Sequence, residues 1–190
     1  MSNTATASTL DELFGVPRLP CEVRAWEFNA QPQSLQLLDE ALGQTLNEWK
    51  RISANALLLN ASKCAHFIWC IDEQGATWIA YEEIARPQDG DAAGFKQAPL
   101  FKEGLPRFRD IPVHPALNRK LGHPTLISGQ KARIAGELYL DPQYGGNIEW
   151  VANARSGRYC NPQPSNNNCI NARNHLRSLI DQNLIWDFWI

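Results

Sequence analysis

A strand–turn–strand pattern occurs twice in this chain, and it limits the fold more than any other feature. The first copy begins with His66–Ile71, an apolar run rich in β-formers. Asp72-Glu73-Gln74-Gly75 follows as a turn, with Gly75 as its left-handed residue, and Thr77–Ile84 returns. The second copy is Lys131–Leu140, a turn over Asp141–Gly146, and Asn147–Asn153. On its first strand the two-residue period puts Ile134, Leu138 and Leu140 on one face and Arg133, Glu137 and Tyr139 on the other. Its second strand alternates Ile148, Trp150 and Ala152 against Glu149, Val151 and Asn153.

Two other segments carry the helical period. Leu35, Leu38, Leu42, Leu46, Trp49 and Ile52 recur at three- and four-residue steps, which predicts a helix over 33–53 with Pro32 in its first turn. Asp39, Glu40, Glu48, Lys50 and Arg51 cover its polar side. Ala172, Leu176, Leu179 and Ile180 predict a second helix over 168–182, capped by one of Asn166–Asn168. The expected fold class is therefore α+β: an antiparallel sheet of at least two hairpins, packed by one long N-terminal helix and one C-terminal helix.

The remaining segments are less regular. Residues 1–12 are small and polar and read as a flexible tail, leaving 13–190 as a single α+β domain. A short strand is expected near Val23, with Val23, Ala25 and Phe28 facing inward. Residues 86–112 hold many prolines and glycines and read as a long loop, a candidate lid. Leu184–Ile190 reads as a buried terminal strand.

Composition excludes several function classes. The 190 residues suit one domain, and the formal net charge of -2 lacks the positive field that nucleic-acid binding needs. The longest apolar stretches are too short to cross a bilayer, and the N-terminus lacks the basic-then-apolar pattern of a signal peptide. A cytoplasmic protein with a small-molecule or protein partner is expected, with no nucleic acid and no membrane. The five cysteines have irregular spacing and no CxxC, so they read as reduced thiols. The seven tryptophans are spread over the whole chain, as core residues are.

Candidate chemistry concentrates between residues 122 and 160. Glu137 stands on a polar strand face beside Gly136, which permits close approach. His123 is a candidate acid or base, and Tyr159 supplies a phenol. Thr125, Ser156 and Arg158 are candidate ligand-binding residues, the guanidinium being suited to anions. Each type also has a structural use: Glu137 paired with Arg133, His123 as a turn residue, Tyr159 as packing. No hydrolase elbow, zinc-protease helix, phosphate loop or dinucleotide fingerprint occurs, so the pattern names no cofactor. A cysteine nucleophile, at Cys64 on the same strand face as His66 or at Cys160 near the Ser-Gly-Arg loop, is a weaker candidate. Glu82 and Glu83, as strand neighbours, point to opposite faces. The spacing of His66, His114, His123 and His175 points to no metal site.

The pattern His123-x-Thr125-Leu126, Ala135-Gly136-Glu137, Asn153-x-x-Ser156-Gly157-Arg158-Tyr159 resembles a C-terminal module of bacterial effector- and polymorphic-toxin-type proteins. The likeness covers about residues 120–182, and the module has histidine where this chain has Arg158. The resemblance implies an effector- or toxin-type domain with an enzymatic cleft, delivered by a dedicated secretion system. The resemblance implies context more than a reaction. ADP-ribosyl transfer, which bacterial effectors of this size often use, or another transfer on a nucleotide-like or anionic ligand is the first candidate chemistry. His123, Tyr159 or Tyr144, and Glu137 or Glu149 would fill its histidine, tyrosine and glutamate roles, with Glu137, His123 and Tyr159 as the expected catalytic set. The alternative is a non-enzymatic immunity, adaptor or regulatory partner.

Overall fold

The strand His66–Asp72 is apolar on both sides because it is covered on both sides. The computed structural model describes residues 7–24, 27–28, 30–54, 66–87, 95–98, 120–141, 148–159 and 162–188. In chain order the elements are α1 (Ala7–Phe14), β1 (Gln36–Leu37), α2 (Glu40–Ser53), β2 (His66–Asp72), β3 (Thr77–Tyr81), β4 (Ile84–Pro87) and β5 (Phe95–Ala98). A 3-10 turn (His123–Ile127), β6 (Ala132–Asp141), β7 (Glu149–Ala152), α3 (Asn166–Leu179) and β8 (Ile185–Trp186) follow. Six strands form one sheet in the order β1-β3-β2-β6-β7-β8, while β4 and β5 pair separately. Every pairing in the larger sheet is antiparallel except β7 with β8. The α+β class and both hairpins stand as expected. Among the described residues, no helix is long and apolar enough to cross a membrane.

The two-residue period divides β2 and β6 between two cores. Phe67, Trp69, Ile71, Ile134, Leu138, Leu140 and Trp150 face Leu46 of α2, Ala172 and Leu176 of α3, and Phe14 at the end of α1. Ile68, Cys70, Ala80 and Ala135 face Leu126 of the 3-10 turn and Tyr159. Trp69 and Trp150 are fully buried in the first core. A fully buried indole removes about 200 Å² from water, so each contributes at most roughly 5 kcal/mol before ordering costs.

The structure moves several boundaries. The long helix begins at Glu40, not at residue 33, because a buried carboxylate takes the chain first. Glu83 accepts hydrogen bonds from the Gln33 and Ser34 amides and from the Ser34 hydroxyl. Gln36–Leu37 then pairs with β3 as an edge strand, and Leu35 packs in the second core. Asp39 caps α2 by accepting from Leu42 N at 2.9 Å. Lys50 is not on an open polar face. It is drawn inward by Glu149 of β7 at 2.5 Å and Asp181 just after α3 at 2.6 Å.

The polar N-terminus is helical from Ala7 onward. It docks because Arg133, only 2% exposed, needs a counter-charge and finds Asp11 at 2.5 Å. Among the described residues around Val23 there is no strand, and Ala25 lies outside them. Phe28 is 63% exposed, and Glu27 turns inward instead, accepting from Arg24 N and Gly122 N. Helix α3 runs over 166–179, and its cap is Ser165, whose hydroxyl accepts from Asn168 N in a reciprocal capping box. Of the loop expected over 86–112, residues 95–98 pair with β4, while 88–94 and 99–112, including the candidate lid, lie outside the described residues. The turn over 142–146 also lies outside them. The terminal strand is Ile185–Trp186, beside β7.

Helix α2 touches the end of α3 through Gly43, where an added Cβ would fall 1.9 Å from the Leu179 carbonyl oxygen. Gly43→Ala should therefore lower stability by roughly 1–3 kcal/mol, the usual cost of overpacking. Gly157→Ala, where nothing lies within 4 Å of the added carbon, should leave it unchanged. Urea denaturation of the two variants checks this, and equal midpoints would contradict the close approach.

Candidate functional site

Gly136 sits in the middle of β6, opposite Trp69 of β2. A Cβ there would lie 1.8 Å from the Asn153 carbonyl oxygen. The missing side chain lets the end of β7 cross directly over the strand, and Asn153 locks onto the next residue. Asn153 N donates to the Glu137 carbonyl at 3.0 Å, and Glu137 N donates to Asn153 Oδ1 at 3.2 Å. Asn153 Nδ2 donates to Glu137 Oε2 at 3.3 Å. The carboxylate is thus held by the same residue that pins its backbone.

On the neighbouring strand, Ile68 is opposite Glu137 and His66 is opposite Tyr139. His66 is the diagonal neighbour of Glu137 on one face, within reach of a long side chain. Its Nε2 lies 3.6 Å from Glu137 Oε1, a charge contact slightly longer than a hydrogen bond. The side chains are 13% and 27% exposed. Burial alone would raise the Glu137 carboxyl. The His66 imidazole, the Asn153 amide and the His123 ring outweigh burial and hold it down to about 2. Glu137 is therefore anionic at neutral pH. His66 Nε2 is buried and has no hydrogen-bond partner among the described residues, so the ionised Glu137 carboxylate is its nearest opposite charge.

His123 begins the 3-10 turn and is buried against the same strand, its Nε2 donating to the Gly136 carbonyl at 2.9 Å. Burial pushes its pKa down to about 4, outweighing the opposing pull of the Gly136 carbonyl and Glu137. It is a neutral hydrogen-bond donor at neutral pH.

The other expected residues serve the loops. Thr125, fully buried, donates to the Gly122 carbonyl at 2.8 Å. Ser156 Oγ accepts from the Tyr159 and Arg158 amides. The Tyr159 hydroxyl donates to the Gln130 carbonyl at 2.8 Å, and burial raises the phenol's pKa. Arg158 reaches the Glu22 carbonyl at 3.1 Å and Glu27 Oε1 at 3.5 Å. Glu27 Oε1 also accepts from Gly122 N, so it ties the Ser-Gly-Arg loop to the residue before His123. The strand, the loop and the His-Pro turn converge, but Thr125, Ser156, Arg158 and Tyr159 use their polar groups to close the junction.

Arg133 pairs with Asp11, not with Glu137. Glu82 reaches Lys120 at 3.0 Å while Glu83 is buried against residues 33–34, so the two carboxylates serve different places. His175 bonds Thr77 at 2.8 Å within the first core, remote in kind from the His66 pair. His114 and Cys64 lie outside the described residues, as does Cys160. Cys21, Cys70 and Cys169 are free thiols. Among the described residues no group of three or more His, Cys, Asp or Glu side chains could hold a metal ion. His66 and Asn153 are the site residues that strand alternation passed over. Their signal was the register, which follows from pairing β2 with β6.

His123 makes stability depend on acid in a defined window. A histidine whose folded pKa lies near 4 binds fewer protons folded than unfolded between about 6.5 and 4. Its contribution is present above 6.5 and is lost as pH falls toward 4, on the order of 3 kcal/mol in full. His123→Gln, which keeps an N–H donor for Gly136, should flatten the fall in unfolding free energy across that window. Burial of His175 lowers its pKa too and leaves a residual slope. An unchanged slope in the Gln variant would contradict the buried neutral imidazole.

No protein-family model, curated protein or solved structure matches this chain.

Proposed function

We propose that this chain is an effector- or toxin-type enzymatic domain whose proton-transfer centre is the Glu137–His66 pair. The observation that carries the reading is a partly exposed carboxylate held ionised 3.6 Å from an imidazole nitrogen. Such a carboxylate orients the ring and stabilises the imidazolium formed when the ring takes a proton. The chemistry that follows is deprotonation of an incoming hydroxyl, thiol or water in a transfer or hydrolysis reaction. The module-like pattern around Glu137 supports the effector context. The near-neutral charge favours a small molecule or protein in a cytoplasmic setting over nucleic acid.

This reading replaces two roles. In ADP-ribosyl transfer His123 and Tyr159 would share the work with Glu137, but both are buried and bonded to backbone carbonyls. His66 takes the place of His123, and His123 becomes a positioning residue through Gly136. An anion site at Arg158 is not part of the reading, since Glu22 and Glu27 already engage that guanidinium.

A specific observation favours a second reading, a non-enzymatic immunity, adaptor or regulatory partner. Four of the six expected site residues close loops, as they would in a scaffold that only presents a surface.

Inducible expression in a bacterial host separates the two. The wild-type chain should slow growth, and both Glu137→Gln and His66→Gln should relieve the inhibition, since loss of a general base costs about 10²- to 10⁴-fold in rate. Gly157→Ala should remain as toxic as wild type. A wild-type chain that accumulates in folded form without affecting growth would favour the partner reading.

A further inference from the structure

A cavity of about 560 Å³ opens between the loop after β7, the first turn of α3 and the segment after β8. Its size suits a drug-sized ligand. It is lined by none of Glu137, His66 or His123. The inference drawn from it therefore stands independently of the acid–base reading.

Its walls are of two kinds. Trp186 and Phe188 form an aromatic side, with ring centroids 6.3 Å apart and planes inclined at 58°. Phe188 is 45% exposed, a large ring left open to water at the cavity's edge. Pro164 and Cys169 add apolar surface from the α3 side. The Cys169 thiol is half-buried, and burial raises its pKa, so it stays neutral.

Between the two aromatic residues in the chain sits Asp187, paired with Arg155 Nη2 at 2.6 Å. Both side chains are about a quarter exposed, 30% for Arg155 and 26% for Asp187, and both line the cavity. The pair uses Asp187 Oδ2, which the Tyr139 hydroxyl also approaches at 3.4 Å. Among the described residues, Asp187 Oδ1 accepts no hydrogen bond. The cavity thus offers the exposed Phe188 ring, a carboxylate oxygen without a hydrogen bond among the described residues and a guanidinium beside it, with their charges balanced. That combination disfavours a charged ligand. It suits a flat, uncharged ring whose edge carries an N–H donor next to an acceptor.

We infer that this cavity binds a planar nitrogen heteroaromatic of the nucleobase class, stacked on the exposed face of Phe188, with the edge of Trp186 beside it, and donating an N–H to Asp187. Stacking is tolerant of ring identity and strong enough to matter, about 1–3 kcal/mol per base in known cases. The Asp187–Arg155 edge then selects rings with a donor beside an acceptor.

Fluorescence titration and calorimetry of the full chain with guanosine test this. Binding should saturate in the micromolar to low millimolar range. Phe188→Ala should weaken it at least fivefold without moving the thermal midpoint, because the ring it removes is largely exposed. Phe188→Trp, which keeps an aromatic face, should retain it. The riboside of 6-dimethylaminopurine has a similar ring system but no N–H on the base, and should bind at least tenfold more weakly than guanosine. Absence of saturable guanosine binding up to its solubility limit would overturn the inference. So would equal affinity for the two nucleosides, or unchanged affinity in folded Phe188→Ala.

Discussion

The close approach of Asn153 to Gly136 organises the rest of this molecule. A side chain at position 136 would occupy the space of the Asn153 carbonyl oxygen, 1.8 Å from where its Cβ would stand. Because that side chain is absent, the chain leaving β7 can cross β6 instead of diverging into solvent. Once it does, one asparagine bonds both the backbone and the carboxylate of Glu137. The loop that follows is then within reach of Glu27 and the 3-10 turn. On the other side of the strand register, the Gly136 carbonyl is the group that His123 needs when it is buried. A backbone feature with no chemistry of its own thereby sets where the candidate catalytic groups sit.

The electrostatics around this junction follow from unequal burial of like groups. His66 retains some solvent contact and lies beside a carboxylate, whereas His123 is sealed in and touches a neutral carbonyl. Two imidazoles a short distance apart therefore do different jobs. One lies beside an ionised carboxylate, and the other is kept neutral by burial at neutral pH. Glu27, Glu83 and Glu137 show the same contrast among acids. The first two are buried and accept several backbone amides, which makes them fastenings, while Glu137 keeps a quarter of its surface open.

Periodicity carried the architecture well. The alternation in Lys131–Leu140 placed Glu137 and Tyr139 opposite Ile134 and Leu138, and the cores agree with that division. The apolar stripe after Pro32 predicted a helix, but its first turns were lost to Glu83, a distant acid whose influence no local pattern records. The docking of α1 was hidden for a similar reason, since its anchor, Arg133, is more than a hundred residues away. At the site, residue chemistry singled out Glu137, whose carboxyl the fold holds well below the usual carboxylate range. It could not separate the histidine beside the carboxylate from the histidine bonded to the strand's backbone. That distinction depends on which strands are neighbours, and pairing is a property of the folded sheet. The role of Ser156, Tyr159 and Thr125 as fastenings was equally invisible, because a hydroxyl that closes a loop and one that meets a ligand look alike in one dimension.

The two rims of the main sheet share a property. The first strand in spatial order, Gln36–Leu37, and the last, Ile185–Trp186, are each only two residues long. A long bare edge would display a row of unpaired amides and carbonyls on which another chain could extend the sheet. Here each border ends after a couple of residues, so it is a poor template for strand addition. The long apolar strands β2 and β6, the segments most prone to intermolecular stacking, lie in the interior of the order.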